Sequence, residues 1–136
     1  PNGLARLFEF TNKLEVNKKI VVTGNAGERD ASKRKYVGKL CVDNNDHVIF
    51  TYEDPRYEDP YNVVKDLCEL IKDKTNYETV IDREEAINKA INMANKNDLV
   101  MILGKGCEDW QEIKGEFIEF SDIEKAKQAI LKRMNH

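Results

Sequence analysis

Two arginines, Arg29 and Arg56, each lie just after a short apolar run, in the segments TGNAGERD and TYEDPRYEDP. A guanidinium group is planar and can bind a carboxylate through two parallel hydrogen bonds. Two arginines therefore favour a ligand that carries two carboxylates. The alternative for each arginine is an ordinary surface ion pair with its acidic neighbours, which is worth about 0 to 1 kcal/mol.

A third segment, LGKGCEDW, also follows an apolar run, and it combines two glycines with acidic residues. Glu108 and the backbone carbonyl of Gly104 would complement an ammonium group in the same crevice. Neither this segment nor TGNAGERD matches a nucleotide-binding fingerprint, so a nucleotide held by this chain alone is not predicted. Cys107 is a weak candidate nucleophile, because His47 and the terminal His136 are the only histidines that could activate it.

Alternating strands and helices are expected to position these three segments. The apolar spacing predicts helices over 4–14, 31–43, 60–72 and 83–96, and strands within KKIVVTG, HVIFTY, ETVID and DLVMILG. A hairpin around Gly115 and a helix over 121–134, with a Ser121–Glu124 capping box, complete the chain. This order predicts an α/β, Rossmann-like three-layer domain with a mostly parallel sheet and a C-terminal hairpin. Ligands bind at the carboxyl ends of such strands, where all three segments begin.

Composition narrows the possible classes of function. A chain of 136 residues with 40% hydrophobic content fits one domain with a real core. The net charge of −3, with no basic run longer than residues 33–35, makes nucleic acid an unexpected partner. Three widely spaced cysteines favour reduced thiols and a cytoplasmic location, and no 18-residue apolar run or signal-peptide pattern predicts a membrane association.

The three segments together, G-x-x-G-E-R-D, D-P-R-x-E-D-P and G-K-G-x-E-D-x-Q-E-I, resemble the C-terminal domain of a Mur ligase of the tripeptide-synthetase type. The resemblance covers essentially the whole chain, and D-R-E-E-A-I at 82–87 adds to it. It implies that residues 1–136 are the amino-acid-binding domain of a larger three-domain enzyme of peptidoglycan synthesis. In that family ATP phosphorylates the D-glutamate carboxylate of a UDP-linked dipeptide, and the amine of the incoming amino acid attacks the acyl phosphate.

The resemblance also implies roles for individual residues. Arg29 would contact the incoming amino acid, 53–56 would recognise meso-diaminopimelate or a close analogue, and Gly104 and Glu108 would hold its distal amino group. Glu53-Asp54 replaces the family's Asp-Asn, which leaves the exact diacid open, and Cys107 replaces its histidine. The expected substrate-binding residues are Arg29, Glu53, Asp54, Pro55, Arg56, Gly104 and Glu108, with no catalytic or metal-ligating residue on this chain.

ATP and magnesium are expected to bind mainly to a central domain outside this chain, so the isolated domain is predicted to be inactive and to carry no cofactor. The UDP-linked dipeptide would likewise be bound through other domains. Two alternatives stay open on the sequence alone. One is a free-standing small-molecule binding module on the same fold. The other is a different superfamily ligase, such as folylpolyglutamate or cyanophycin synthetase.

Overall fold

The computed structural model describes residues 2–24, 31–51, 59–103, 110–113 and 116–119. Within these ranges no helix is both long enough and apolar enough to cross a membrane. The helices are α1 (Asn2–Thr11), α2 (Arg34–Asn44, preceded by a 3₁₀ turn over Ala31–Lys33), α3 (Pro60–Leu67) and α4 (Arg83–Met93). The strands are β1 (Lys19–Thr23), β2 (His47–Phe50), β3 (Tyr77–Thr79), β4 (Leu99–Ile102), β5 (Trp110–Ile113) and β6 (Glu116–Glu119).

Four strands form one parallel sheet in the order β3-β2-β1-β4. In the central pairings Val21 lies opposite both Val48 of β2 and Met101 of β4. Strands β5 and β6 form a separate antiparallel hairpin. The predicted α/β class, parallel sheet and C-terminal hairpin are confirmed, and the first strand of the hairpin begins at Trp110.

The core has two halves, one on each face of the sheet, because alternate side chains of a strand point to opposite faces. Helices α1, α2 and α3 cover the face that carries Val21, Val48 and Phe50. Helix α4 covers the other face, where Ile20 and Ile49 pack against an Ala/Ile stripe. The stripe consists of Ala86, Ile87, Ala90, Ile91 and Ala94, at the spacing predicted from the sequence.

Two helices begin where the local sequence supplies a cap. The Asp59 side chain accepts a hydrogen bond from the Tyr61 N–H at 3.0 Å, and Pro60 takes the first helical position, where its missing N–H costs nothing. In the same way the Asp82 side chain accepts from the Glu84 N–H at 3.3 Å at the start of α4. Strand β3 covers only Tyr77–Thr79, so it ends earlier than the predicted strand ETVID.

The predicted end of α3 at residue 72 is wrong. The helix ends at Leu67, and turns follow from Cys68 onward. Ile71 is fully buried through these turns, whereas Leu70 is 41% exposed. An apolar sequence pattern records burial, and here burial continues after the helical hydrogen bonding has stopped.

Several side chains assigned to apolar helix faces are exposed instead. Phe10 and Tyr36 lie largely in solvent, and Leu14, beyond the end of α1, is 38% exposed. Phe10 is two residues beyond the fully buried Phe8, and two residues turn a helix by about 200°, which carries a side chain to the opposite face. The predicted helix over 121–134 lies outside the described residues.

Helices α2 and α3 approach each other closely at Gly38. A Cβ atom built on Gly38 would lie 1.8 Å from the Leu67 carbonyl oxygen and 2.8 Å from its carbonyl carbon. Both neighbours are backbone atoms, so no side-chain rotation can relieve the contact. Gly38 thus sets the distance between two helices that pack on the same face of the sheet.

Replacing Gly38 with Ala is expected to destabilise the chain by about 1 to 3 kcal/mol, because overpacking outweighs the gain of about 1 kcal/mol in helix propensity. Urea unfolding followed by circular dichroism measures the change. The matched control is Lys39→Ala, which removes only the exposed ion pair with Asp43 and should cost less than about 0.5 kcal/mol. Equal stability of the Gly38→Ala variant and the parent would contradict the close approach.

Candidate functional site: the carboxyl edge of the sheet

The three segments singled out in the sequence leave the sheet from neighbouring strands at the same edge. The Thr51 N–H donates to the Thr23 carbonyl at 2.9 Å, and the Leu103 N–H donates to the Val22 carbonyl at 2.9 Å. The ends of β2, β1 and β4 are therefore joined side by side, with adjacent strands about 4.8 Å apart. Their convergence on one edge, expected from the strand pattern, is confirmed.

The strand order also defines where a crevice opens on this edge. Helix α2 follows β1 on one face of the sheet, whereas α4, on the other face, leads into β4. From β1 the chain continues to β2 on one side, whereas β4, the neighbour of β1 on the other side, is reached only after β3. Such a switch point in strand order is where open α/β sheets bind ligands. Thr23 and Leu103 lie at the strand ends on its two sides.

The residues expected to bind substrate lie outside the described part of the chain. This holds for Arg29, for Glu53, Asp54, Pro55 and Arg56, and for Gly104 and Glu108. What the structure describes is the frame from which their segments depart, namely Thr23 and Gly24, Thr51, and Leu103. The ligand roles of these seven residues stay predictions.

The hydroxyl group of Thr51 connects the segment just after β3 to these three strand ends. Thr51 is fully buried, and its Oγ1 donates to the Ile81 carbonyl at 2.9 Å. One residue earlier, the Val80 N–H donates to the Phe50 carbonyl at 2.9 Å. The turn between β3 and α4 is thereby fastened to the end of β2, so the start of α4 is fixed relative to the crevice.

Arg83, the first residue of α4, reaches the same edge from the face of the sheet that α4 covers. Its side chain is fully buried, and one terminal guanidinium nitrogen donates to the Leu103 carbonyl at 2.9 Å. Sequence reasoning missed this residue, because an arginine in the first turn of an amphipathic helix is normally solvated. The only signal was its place in the D-R-E-E-A-I segment.

A second buried arginine occupies the equivalent place on α2. Arg34 is the first residue of that helix, is fully buried, and pairs with the Asp66 carboxylate of α3 at 2.9 Å. Asp66 belongs to the neighbouring helix. Arg34 therefore joins two helices, whereas Arg83 joins a helix to the frame of the crevice.

The described thiols are unsuited to nucleophilic catalysis. Burial raises the pKa of Cys41 to about 12 and also raises the pKa of Cys68, so neither forms an appreciable thiolate at neutral pH. His47 opens β2 at the opposite edge of the sheet, about 10 Å from the carboxyl end of that strand, and its Nε2 lies 2.6 Å from the Glu78 carboxylate. His47 is therefore far from Leu103, after which the segment with Cys107 begins. Across the described ranges no three His, Cys, Asp or Glu side chains cluster as metal ligands would.

A cavity among the described residues lies elsewhere, beside β3. It has a volume of about 890 Å³, and its charged lining residues are Lys65, Asp82 and Glu85. This lining offers one cationic side chain, whereas a ligand with two carboxylates would be matched by two. The strand order and the three charged segments both favour the edge between β1 and β4 over this groove.

A doubly wound sheet with charged loops at its switch point defines the chain as an α/β ligand-binding domain. It belongs to the Mur ligase family: the model of the family's glutamate ligase domain matches residues 1–106. It is 39% identical over 130 residues to UDP-N-acetylmuramoyl-L-alanyl-D-glutamate--2,6-diaminopimelate ligase of Aquifex aeolicus, covering 96% of this chain and 27% of that protein. The protein of the same name from Clostridioides difficile is 40% identical over 133 residues, 97% of this chain and 28% of its own length.

A solved structure supports the same relationship. The structure of a UDP-N-acetylmuramoyl-L-alanyl-D-glutamate--2,6-diaminopimelate ligase superposes on this chain with a TM-score of 0.91 and 31% identity. The match covers all of this chain and 28% of that one. The chain thus spans about a quarter of the length of the relatives it matches.

Replacing Thr51 with Val keeps the side-chain volume but leaves the Ile81 carbonyl without its hydroxyl donor. We expect a loss of about 1 to 3 kcal/mol in unfolding free energy, the cost of a buried polar group without its partner. Urea unfolding measures it, with the exposed Thr75→Val as the control, which should change stability by less than about 0.5 kcal/mol. Identical unfolding of Thr51→Val and the parent chain would refute the network.

Proposed function

We propose that this chain is the C-terminal, amino-acid-binding domain of an ATP-dependent amide ligase of peptidoglycan synthesis. The complete enzyme would join a diamino diacid, meso-diaminopimelate or a close analogue, to UDP-N-acetylmuramoyl-L-alanyl-D-glutamate. Membership of the Mur ligase family and the names of the relatives support this reading. Those names also favour it over a folylpolyglutamate or cyanophycin synthetase.

The observation that carries the proposal is that the carboxyl ends of three strands lie side by side at one edge of the sheet. Arg29, Arg56 and Glu108 belong to different segments, and each segment begins at one of the hydrogen-bonded ends of β1, β2 and β4. Because these ends are adjacent, short connections suffice to bring the three side chains to one ligand. Two guanidinium groups and one carboxylate match two carboxylates and an ammonium group.

The chemistry is expected to be divided between domains. The first step would form an acyl phosphate on the D-glutamate carboxylate, and the second would form the amide as the amine displaces phosphate. This domain would orient the amino acid so that its amine approaches the acyl carbon, a contribution of positioning rather than of acid–base catalysis. ATP and magnesium would be held mainly by another domain of the complete enzyme. This agrees with the lack of nucleotide fingerprints in the present sequence.

The proposal predicts discrimination between diaminopimelate and lysine, which differ by one carboxylate. Bound lysine would leave the arginine that pairs with the second carboxylate without a partner, which costs binding free energy. The ratio kcat/KM should therefore favour the diacid by about 10⁴-fold. Replacing Arg56 with Ala should lower kcat/KM for diaminopimelate by about 10² or more and affect lysine much less. The measurement is ADP release by the complete ligase with each amino acid.

The control for that experiment is Arg6→Ala, which removes an exposed arginine of α1 and should leave both kcat/KM values within about twofold. Lanthionine, a thioether-bridged diacid, tests the substitution of Glu53-Asp54 for Asp-Asn, because it retains both carboxylates. Equal use of lysine and the diacids by the parent enzyme would overturn the assignment of a second carboxylate site.

The 136-residue chain by itself is expected to fold but to release no ADP when mixed with ATP, magnesium, the UDP-linked dipeptide and diaminopimelate. The reason is that its sequence supplies no nucleotide-binding loop. The complete ligase in the same mixture is the positive control. Turnover by the isolated chain would contradict the division of labour between domains, and it would favour a self-contained activity.

A further inference from the structure

The GKGCED segment follows β4, and at Leu103, directly after that strand, both main-chain polar groups are hydrogen-bonded. The Leu103 N–H donates to Val22 of β1, and the Leu103 carbonyl accepts from the Arg83 guanidinium, both at 2.9 Å. The carbonyl belongs to the planar peptide group that joins Leu103 to the next residue. Fixing this carbonyl therefore fixes the direction in which the chain leaves β4.

Helix stability does not explain an arginine at position 83. As the first residue of α4, it lies where the helix dipole disfavours a positive charge. Its complete burial also removes the guanidinium group from water, and an apolar side chain of similar size often fills such a place at no loss of stability. An apolar side chain cannot, however, donate a hydrogen bond to the end of β4.

The path of the side chain strengthens this interpretation. Helix α4 follows β3, which is the outer strand on one side of the sheet. Leu103 follows β4, which is the outer strand on the opposite side. Helix α4 packs on β2, β1 and β4, and the turn that leads into it is fastened to the end of β2 through Thr51 and Ile81. Arg83 thus links the root of the GKGCED segment to a helix that is already fixed relative to the other strand ends.

We propose that Arg83 is a positioning residue for the amino-acid-binding crevice: by holding the Leu103 carbonyl it orients the segment that carries Gly104 and Glu108. This inference rests on the proposed function for the roles of those two residues. Arg83 would touch neither the amino acid nor ATP. Its effect is therefore on the binding of the amino acid, through the geometry of the segment that follows β4.

The test uses the complete ligase with Arg83→Gln and Arg83→Lys. Arg83→Gln is expected to raise KM for diaminopimelate about tenfold, the loss typical of one hydrogen bond from a charged group, and to leave KM for ATP within about twofold. Arg83→Lys keeps the charge without the planar fork and should recover part of the loss. Hydrogen–deuterium exchange of the peptide that follows Leu103 should be faster in Arg83→Gln than in the parent enzyme.

Asn45→Ala is the control, because Asn45 is buried and donates to the Cys41 carbonyl at 2.8 Å, but it precedes β2 at the amino end of the sheet, away from the crevice. It should lower the melting temperature, yet leave KM for diaminopimelate within about twofold and exchange after Leu103 unchanged. A merely structural Arg83 would give the two variants the same profile. That result, or unchanged KM and exchange in Arg83→Gln, would overturn the inference.

The two proposals fail separately. If the parent ligase prefers another amino acid, the diacid assignment is wrong, and the Arg83 variants are compared with the amino acid that it uses. If the parent protein joins no amino acid at all, the proposed function is lost, and the exchange rates after Leu103 decide for or against Arg83. If the parent uses diaminopimelate and Arg83→Gln matches it in both readouts, only the positioning role is rejected.

Discussion

The parallel pairing of β1 with both β2 and β4 is the constraint on which the rest of this domain depends. Strand β1 is buried from Ile20 to Thr23 and is hydrogen-bonded along both edges, so neither neighbour can slip without turning its apolar side chains to the wrong face. Because the pairing is parallel, all the carboxyl ends meet at one edge. Three separate charged segments consequently start within about 10 Å of one another.

Buried polar groups join strand ends at the carboxyl edge. The strands bury Val, Ile and Phe, and at this edge the buried groups include the hydroxyl of Thr51 and the guanidinium of Arg83, each of which donates to a main-chain carbonyl at the end of a strand or in the turn that follows. Buried polar groups that have partners fix one arrangement, whereas apolar contacts tolerate several. A rigid rim would suit a domain whose proposed task is to position an amine for attack.

The charge inventory is consistent with the family relationship and adds a physical reason for the choice of substrate. A chain with a net charge of −3 and no long basic run is not built to bind polyanions, yet two of its arginines belong to segments that begin at the carboxyl edge of the sheet. Single guanidinium groups among acidic residues suit a small ligand in which each carboxylate needs one such partner. The groove beside β3 offers only Lys65 as a cation, together with Asp82 and Glu85, whereas a dicarboxylate would be matched by two cations.

The sequence by itself determined the α/β class and the alternation of elements, because burial repeats with the local period of a strand or a helix. It also marked the three segments, since unusual residue types after apolar runs are visible without coordinates. Only the tertiary structure decided the strand order, the end of α3 at Leu67, the close approach at Gly38 and the burial of Arg34 and Arg83. These features depend on contacts between residues far apart in the chain, such as Arg83 with Leu103 or Gly38 with Leu67. Local periodicity carries no information about which distant backbone a side chain will meet.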